Sequence, residues 1–368
     1  MKRLGPRSLV VGACLVALLL LEGGLRLFAP LEDPFWRERS VEIESYIPRR
    51  HEPGFRLEIE PEPGLPGVAG RRVFETNSQG FVGPVIDLEP RPEEKRVFLF
   101  GGSTMECVVL GNEHNPARLV ADRLETATST VEWNVQNTAH SGDVSFDHVA
   151  MLVHRALHFR PDVVVMLVGA NDVNASLRGA DYSHRTPKRR DFDLRTVVRL
   201  TSTELHVGRL LVGTLTNAPL RFATPDSATR TKYRATAARC HASETKPYDA
   251  SQLALASYER NLRTFVAAAQ ANGAQVVLAT QPHALQIEAL DAWHWFGCFG
   301  QGRYAKADLV DAMHHINDVT RRVASETNAA LVDLAAASMT AEHFYDTIHY
   351  NDAGAAFISD KIAEAIQR

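Results

Sequence analysis

The chain has 368 residues, 45% of them hydrophobic, a formal net charge of −4 at pH 7 and four cysteines. That length and apolar content suit one large or two small domains with a true core and exclude a disordered, collagenous or repeat protein. The mild acidity gives no basis for nucleic-acid binding, and four cysteines do not make a disulfide-framed fold.

The chain opens on a leader. Lys2, Arg3 and Arg7 precede the apolar run 9–21, the charge order of a signal peptide or signal anchor. The run is shorter than the roughly 20 residues that cross a bilayer, but continuing through Leu25, Leu27, Phe28 and Ala29 approaches that length. With no small-x-small cleavage site after it, 1–29 reads as a retained anchor or transmembrane segment rather than a cleaved peptide. The rest is then extracytoplasmic, periplasmic or extracellular, and secreted if the leader is cleaved.

Residues 30–94, rich in Pro, Glu and Gly, read as a linker and lead-in with an extended patch at 71–76. From 95 onward the pattern is regular. Residues 96–100 are a predicted strand, 116–125 a helix and 131–135 a second strand. Ser145 caps a predicted helix that places Phe146, Val149, Ala150, Val153 and Leu157 on one face. The continuous apolar run 163–168 reads as a strand buried on both faces.

Residues 174–251 are too long for an ordinary loop and carry their own amphipathic stretch at Leu194, Val197, Val198, Leu205 and Leu211. Between 174 and 234 stand twelve Lys or Arg against five Asp or Glu. This basic helical insertion is either a solvated face or a cap beside the site that meets an anionic glycan or the membrane surface.

Alternation then resumes with a helix carrying Leu255, Tyr258, Leu262, Phe265, Val266 and Ala269, stopped at Gly273, and a strand at 275–280. A helix with Leu309, Ile316, Val319 and Val323 leads to a strand at 330–334. A last helix, capped by Asn351, presents Ile358, Ile362 and Ile366. Five strands alternating with helices predict an α/β domain over 95–368, a parallel sheet covered on both faces by right-handed crossovers.

In such sheets the ligand site lies at the carboxyl ends of the strands. Ser103, in Gly101-Gly102-Ser103-Thr104, follows the first strand, where glycines permit a tight turn. Gly142 lies in the loop after the second, Asn171 follows the third, and Asp346-Thr347-Ile348-His349 follows the fifth. A serine becomes nucleophilic when an imidazole removes its proton, which His349 could do with Asp346 holding its tautomer. The backbone N–H groups of Ser103 and Gly142 and the amide of Asn171 could serve an oxyanion. Each motif alone is more often a turn or a cap. Their value lies in their order and shared edge.

The remaining candidates add little. His314 and His315 are adjacent on a helix and cannot share a metal face, and His283 reads as a surface or pocket residue. No zinc-type spacing, phosphate loop or dinucleotide fingerprint occurs, so neither metal nor cofactor is expected. Cys14 lies in the leader and Cys107 reads as a buried small residue. Cys240 and Cys298 fall in irregular segments that a disulfide could bridge in an oxidising compartment.

These residues resemble the SGNH hydrolases, also called the GDSL family of esterases and lipases. The matching blocks are Gly101-Gly102-Ser103, Gly142, Gly169-Ala170-Asn171-Asp172, and Asp346 with His349. The resemblance implies a three-layer α/β/α sandwich, flavodoxin-like, with strand order 2-1-3-4-5. It implies Ser103 as nucleophile, His349 as base, Asp346 as third triad member, and Ser103, Gly142 and Asn171 as oxyanion donors. Gly102 departs from the family pattern by standing where its name places Asp, and Ala139 by standing where a first glycine often precedes Gly142. Asn77, Gly80 and Phe81 also resemble the lead-in of membrane-anchored bacterial members.

The expectation is a serine esterase that removes acyl groups, foremost O-acetyl, from a carbohydrate or lipid through an acyl-enzyme. An O-acyltransferase with the same triad, modifying an envelope polysaccharide, and an inactive glycan-binding protein are the alternatives. The expected partners are a small-molecule, glycan or lipid ester and, through the leader, a membrane; nucleic acid is not among them, and oligomeric state is open.

Overall fold

The computed structural model describes residues 6–29, 41–42, 50–127, 131–179, 205–216, 229–299 and 302–368. In chain order the main elements are α1 (Pro6–Phe28), β1 (Arg56–Glu60), β2 (Arg72–Glu75), β3 (Glu94–Gly101), α2 (Ser103–Glu106), α3 (Pro116–Ala127), β4 (Glu132–Asn137), α4 (Ser145–His154), β5 (Val163–Leu167) and α5 (Ala170–Leu177). There follow α6 (His206–Thr216), β6 (Thr229–Arg230), α7 (Tyr233–His241), α8 (Leu255–Ala271), β7 (Gln275–Ala279), α9 (Lys306–Thr327), β8 (Ala330–Val332) and α10 (Asp352–Ile366). Two compact units divide them: Glu42–Pro187 with Ala228–Arg368, and Met1–Val41 with Lys188–Ser227.

The larger unit is built on a five-stranded parallel sheet of order β8-β7-β5-β3-β4, the expected 2-1-3-4-5 arrangement. Gly101 of β3 is in register with Leu167 of β5, which pairs with Ala279 of β7, which in turn pairs with Val332 of β8. The carboxyl ends of four strands are therefore level, and their loops meet at one edge.

Alternation along the strands divides the core into two layers. Phe98, Phe100, Val164, Met166, Val276 and Leu278 face α4, α8 and α9. Val97, Leu99, Val165, Leu167, Val277 and Ala279 face α3 and α10. This is the three-layer sandwich expected. Each large apolar side chain buried in it contributes on the order of 1.5–3 kcal/mol.

The stretch expected as a linker and lead-in is packed structure from residue 50 onward. β1 and β2 pair antiparallel, and Phe81 and Ile86 join the core layer of Phe98. Val82 exchanges two backbone hydrogen bonds with Asn137, so the lead-in meets the outer edge of β4 at its carboxyl end. The expected insertion is shorter than 174–251: α5 runs through Leu177, and residues after 228 belong to the larger unit, where β6 pairs with β1. Ser145 is the first residue of α4 rather than its cap; its hydroxyl donates to Asp172 Oδ1 at 2.6 Å. Asn351 does cap α10, accepting from Gly354 N at 3.0 Å.

In the smaller unit α1 packs against α6. Glu22 on α1 accepts hydrogen bonds from the backbone N–H groups of His206 and Val207, placing a carboxylate at the amino end of α6. Burial alone would raise Glu22, but these backbone donors and Arg26 lower its pKa below the usual range. No helix among the described residues is long and apolar enough to cross a membrane, so the transmembrane form expected for 1–29 is not supported. Leu194, Val197 and Val198 lie outside the described residues.

Candidate active site

Ser103 opens α2 directly after β3, at the level edge of the sheet. The glycines before it are needed for closeness, not for an unusual backbone. Gly102 has φ −84° and ψ −153°, an extended conformation open to any residue. A Cβ at Gly101 would lie 2.5 Å from Met105 Cβ, and one at Gly102 would lie 2.3 Å from Asn171 Nδ2. Gly102 thus leaves the space that the Asn171 amide occupies.

Ser103 Oγ is 2.8 Å from His349 Nε2, and His349 Nδ1 is 2.9 Å from Asp346 Oδ2. A carboxylate accepts from Nδ1–H, so Nε2 is left with the lone pair that faces the serine hydroxyl. Asp346 is fully buried, and its two oxygens take four hydrogen bonds. Oδ1 accepts from the backbone N–H of Ile348 at 2.8 Å and of His349 at 2.7 Å. Oδ2 accepts from His349 and from Trp295 Nε1 at 3.0 Å. Tyr345 and Trp295 both stack on the His349 ring, with centroids 5.4 and 5.5 Å away.

Asn171 lies in the first turn of α5, after Gly169 at φ 135°. Its Nδ2 donates to Asp143 O at 2.9 Å, which fixes the amide and leaves its second N–H for another acceptor. Gly142 adopts φ 83° on the loop after β4 and is exposed. The pocket is lined by Ser103, Asn171, His349 and Asp143, with Gly142 adjoining Asp143 rather than lining it. Four of the five expected site residues are therefore either in the pocket wall or bonded to it as a chain, and the fifth is one residue away.

Three contributors were not foreseen. Gln281 follows β7 at the same edge; it accepts from Thr104 Oγ1 at 3.0 Å and donates to the Tyr350 hydroxyl at 2.9 Å. Its position after the fourth strand was the available signal. Trp295 and His294 come from an irregular segment with no such signal. His294 Nδ1 is 2.8 Å from Thr347 Oγ1, inside the Asp346–His349 block. Burial first, then Lys306 and His241, push the His294 pKa down to about 4, so this imidazole is neutral near pH 7. A disulfide joins Cys298 of the same segment to Cys240 of α7, with Cα atoms 5.6 Å apart. Cys107 is buried, and burial with Glu106 and Asp352 raises its thiol far from thiolate reactivity.

A parallel α/β sandwich whose strand ends join a serine, a histidine and a buried aspartate defines a serine hydrolase architecture. Residues 99–357 match the GDSL-like lipase/acylhydrolase family, well over half of the chain, and the chain belongs to that family. It is a carboxylic ester hydrolase.

Among solved structures, the acetyl xylan esterase AlAXEase is 16% identical with a TM-score of 0.43, over 74% of this chain and 99% of that one. LAE5, an α/β hydrolase from the metagenome of Lake Arreo, Spain, is 15% identical with a TM-score of 0.42, over 74% and 95%. Axe2, an acetylxylan esterase from Geobacillus stearothermophilus, is 16% identical with a TM-score of 0.43, over 74% and 94%. No curated protein matches the chain.

Proposed function

We propose that the protein is an extracytoplasmic serine esterase in which Ser103 is the nucleophile, His349 the general base and Asp346 the group that orients it. The carrying observation is the unbroken hydrogen-bonded chain from Ser103 Oγ through His349 to Asp346. His349 Nε2 takes the hydroxyl proton as Oγ attacks the acyl carbonyl. The oxyanion that forms accepts from the N–H groups of Ser103 and Gly142 and the free N–H of Asn171. Collapse breaks the ester bond, and the imidazolium returns its proton to the departing alcohol. Water then repeats the sequence, with His349 again as base, and releases the acid and free Ser103.

The favoured substrate is an O-acetyl ester on a carbohydrate. The half-buried Trp295 in the pocket wall supports it, because aromatic side chains suit contact with the apolar parts of a sugar. The leader charges Lys2, Arg3 and Arg7 and the Cys240–Cys298 disulfide support a location outside the cytoplasm, with the leader as the site of membrane attachment. The bonds between Glu22 and the amino end of α6 support an insertion that serves the leader.

Labelling with a fluorophosphonate probe tests the nucleophile: label on the native chain and none on Ser103→Ala is expected. Labelling that survives in Ser103→Ala sinks the assignment, and no label with no nitrophenyl acetate turnover favours the glycan-binding alternative. Incubation with an acetylated oligosaccharide and an acceptor sugar separates hydrolysis from transfer. Free acetate in large excess over acetylated acceptor is the expected result.

A further inference from the structure

Behind the nucleophile lies a second cluster that the esterase mechanism does not use. His51 comes from the lead-in, Glu106 ends α2 three residues after Ser103, and His140 stands two residues before Gly142. Their exposures are 3%, 3% and 5%. One nitrogen or oxygen donor from each lies within 4.8 Å of the other two. A tetrahedral zinc with bonds of about 2 Å separates its ligand atoms by about 3.3 Å, so the three need only draw in slightly.

Two details favour a cation over a plain hydrogen-bonded cluster. His51 Nε2 sits 2.9 Å from Glu106 Oε1, yet among the described residues neither ring nitrogen of His51 makes a hydrogen bond of acceptable geometry. A buried nitrogen beside a carboxylate oxygen, without a proton directed between them, is an edge that a metal closes. His140 Nδ1 faces the Ser141 carbonyl at 3.0 Å, with Asp143 Oδ1 at 3.8 Å, so Nδ1 carries the hydrogen and Nε2 the lone pair. Metal-bound histidines characteristically donate their second N–H to a carbonyl or carboxylate in this way.

The carboxylate is buried, and its second oxygen accepts from the Ser141 hydroxyl. The Phe55 and Phe74 rings near His51 provide a dry wall. Two imidazoles and one carboxylate suit zinc over magnesium or calcium, which prefer oxygen donors.

We propose that His51, Glu106 and His140 form a site for a divalent transition metal of the zinc type, with the Ser141 hydroxyl or a water as fourth ligand. The ion holds together the nucleophile's short helix, the loop bearing Gly142 and the lead-in. It is a positioning device, since Ser103 Oγ faces His349 instead.

The test uses the full chain, stripped with a chelator and titrated with Co2+, whose visible absorption reports tetrahedral nitrogen and oxygen ligation without any turnover. One saturating equivalent, displaced by Zn2+, is expected. His51→Ala and His140→Ala should each weaken it by more than about 100-fold, since even outer-shell changes cost 10- to 100-fold. Ser103→Ala should bind as the native chain does, so loss of esterase activity and loss of metal are read separately. Absence of a cobalt band in the native chain overturns the proposal whether or not the variants fold, as does undiminished binding in both histidine variants.

Discussion

The two walls of the pocket are built on different principles. On one wall, Gly102, Ser103, Gly169 and Asn171 sit where β3 and β5 end, positioned by sheet register and by contacts too close for a Cβ. On the other, Trp295 and Phe296 belong to a segment in which Phe296 is buried in the core and side-chain bonds tie Trp295 to Asp346, His294 to Thr347 and Cys298 to Cys240. The first wall is fixed by backbone that many residues cooperate to hold. The second is tied in part by side-chain bonds that can be removed one at a time, so mutation of those bonds should cost less than mutation of the first wall.

The largest effects belong to the strand-end wall and the histidine that faces it. Ser103→Ala and His349→Ala should each lower kcat by at least about 1,000-fold while leaving the circular dichroism and urea midpoint near native values, because members of such a unit fail together. A His349→Ala enzyme with native turnover would show that another base serves Ser103.

Gly102→Asp sharpens the contrast, since it restores the residue that the family name places there. The new Cβ would fall 2.3 Å from Asn171 Nδ2, so the amide must shift from the position in which it donates to Asp143 O. Loss of one oxyanion donor typically costs about 100- to 1,000-fold in kcat. The expected outcome is a loss in that range with KM little changed. Native kcat would mean that the Asn171 amide donates nothing to the oxyanion.

The same division explains what could be read in advance. The strands and helices of the sandwich announce themselves by apolar periodicity, and Ser103, Asn171 and His349 by following predicted strands, because parallel topology forces strand ends to one edge. The role of Gly102 was hidden: sequence suggested backbone freedom, whereas the constraint is Asn171, distant along the chain. Trp295 was hidden because an irregular segment has no period. His51, Glu106 and His140 were hidden because zinc-type motifs are recognised by local spacing, and these three come from separate segments. The packing of Phe81 and Ile86 was obscured by the proline and glycine around them, which mark turns but say nothing of what the turns cover.

On the latched wall the effects should be smaller. Trp295→Phe keeps an aromatic ring against His349 and removes only the donor to Asp346 Oδ2, which still accepts from His349. A decrease in kcat of about tenfold is expected, in line with the loss of one hydrogen bond to a charged group at about 1.5 kcal/mol. A loss as large as that of His349→Ala would make Trp295 as indispensable as the triad and erase the distinction between the walls.

The smallest effect is one of stability and comes from His294. Its pKa of about 4 lies below the ordinary 6.5, so the folded chain favours the neutral ring and the unfolded chain binds the proton more readily. Its contribution is therefore complete above about pH 6.5 and is lost as pH falls through 4. His283, pushed down to about 4 by burial and by His314, acts in the same direction over the same window. Urea midpoints should fall between pH 6.5 and 4, each histidine accounting for at most about 3 kcal/mol. In His294→Asn one of these two protons no longer separates the folded and unfolded states, so the slope of stability against pH should become shallower while His283 preserves part of it. An unchanged slope would mean that His294 takes up its proton without leaving Thr347, and that this latch does not distinguish a neutral ring from a charged one.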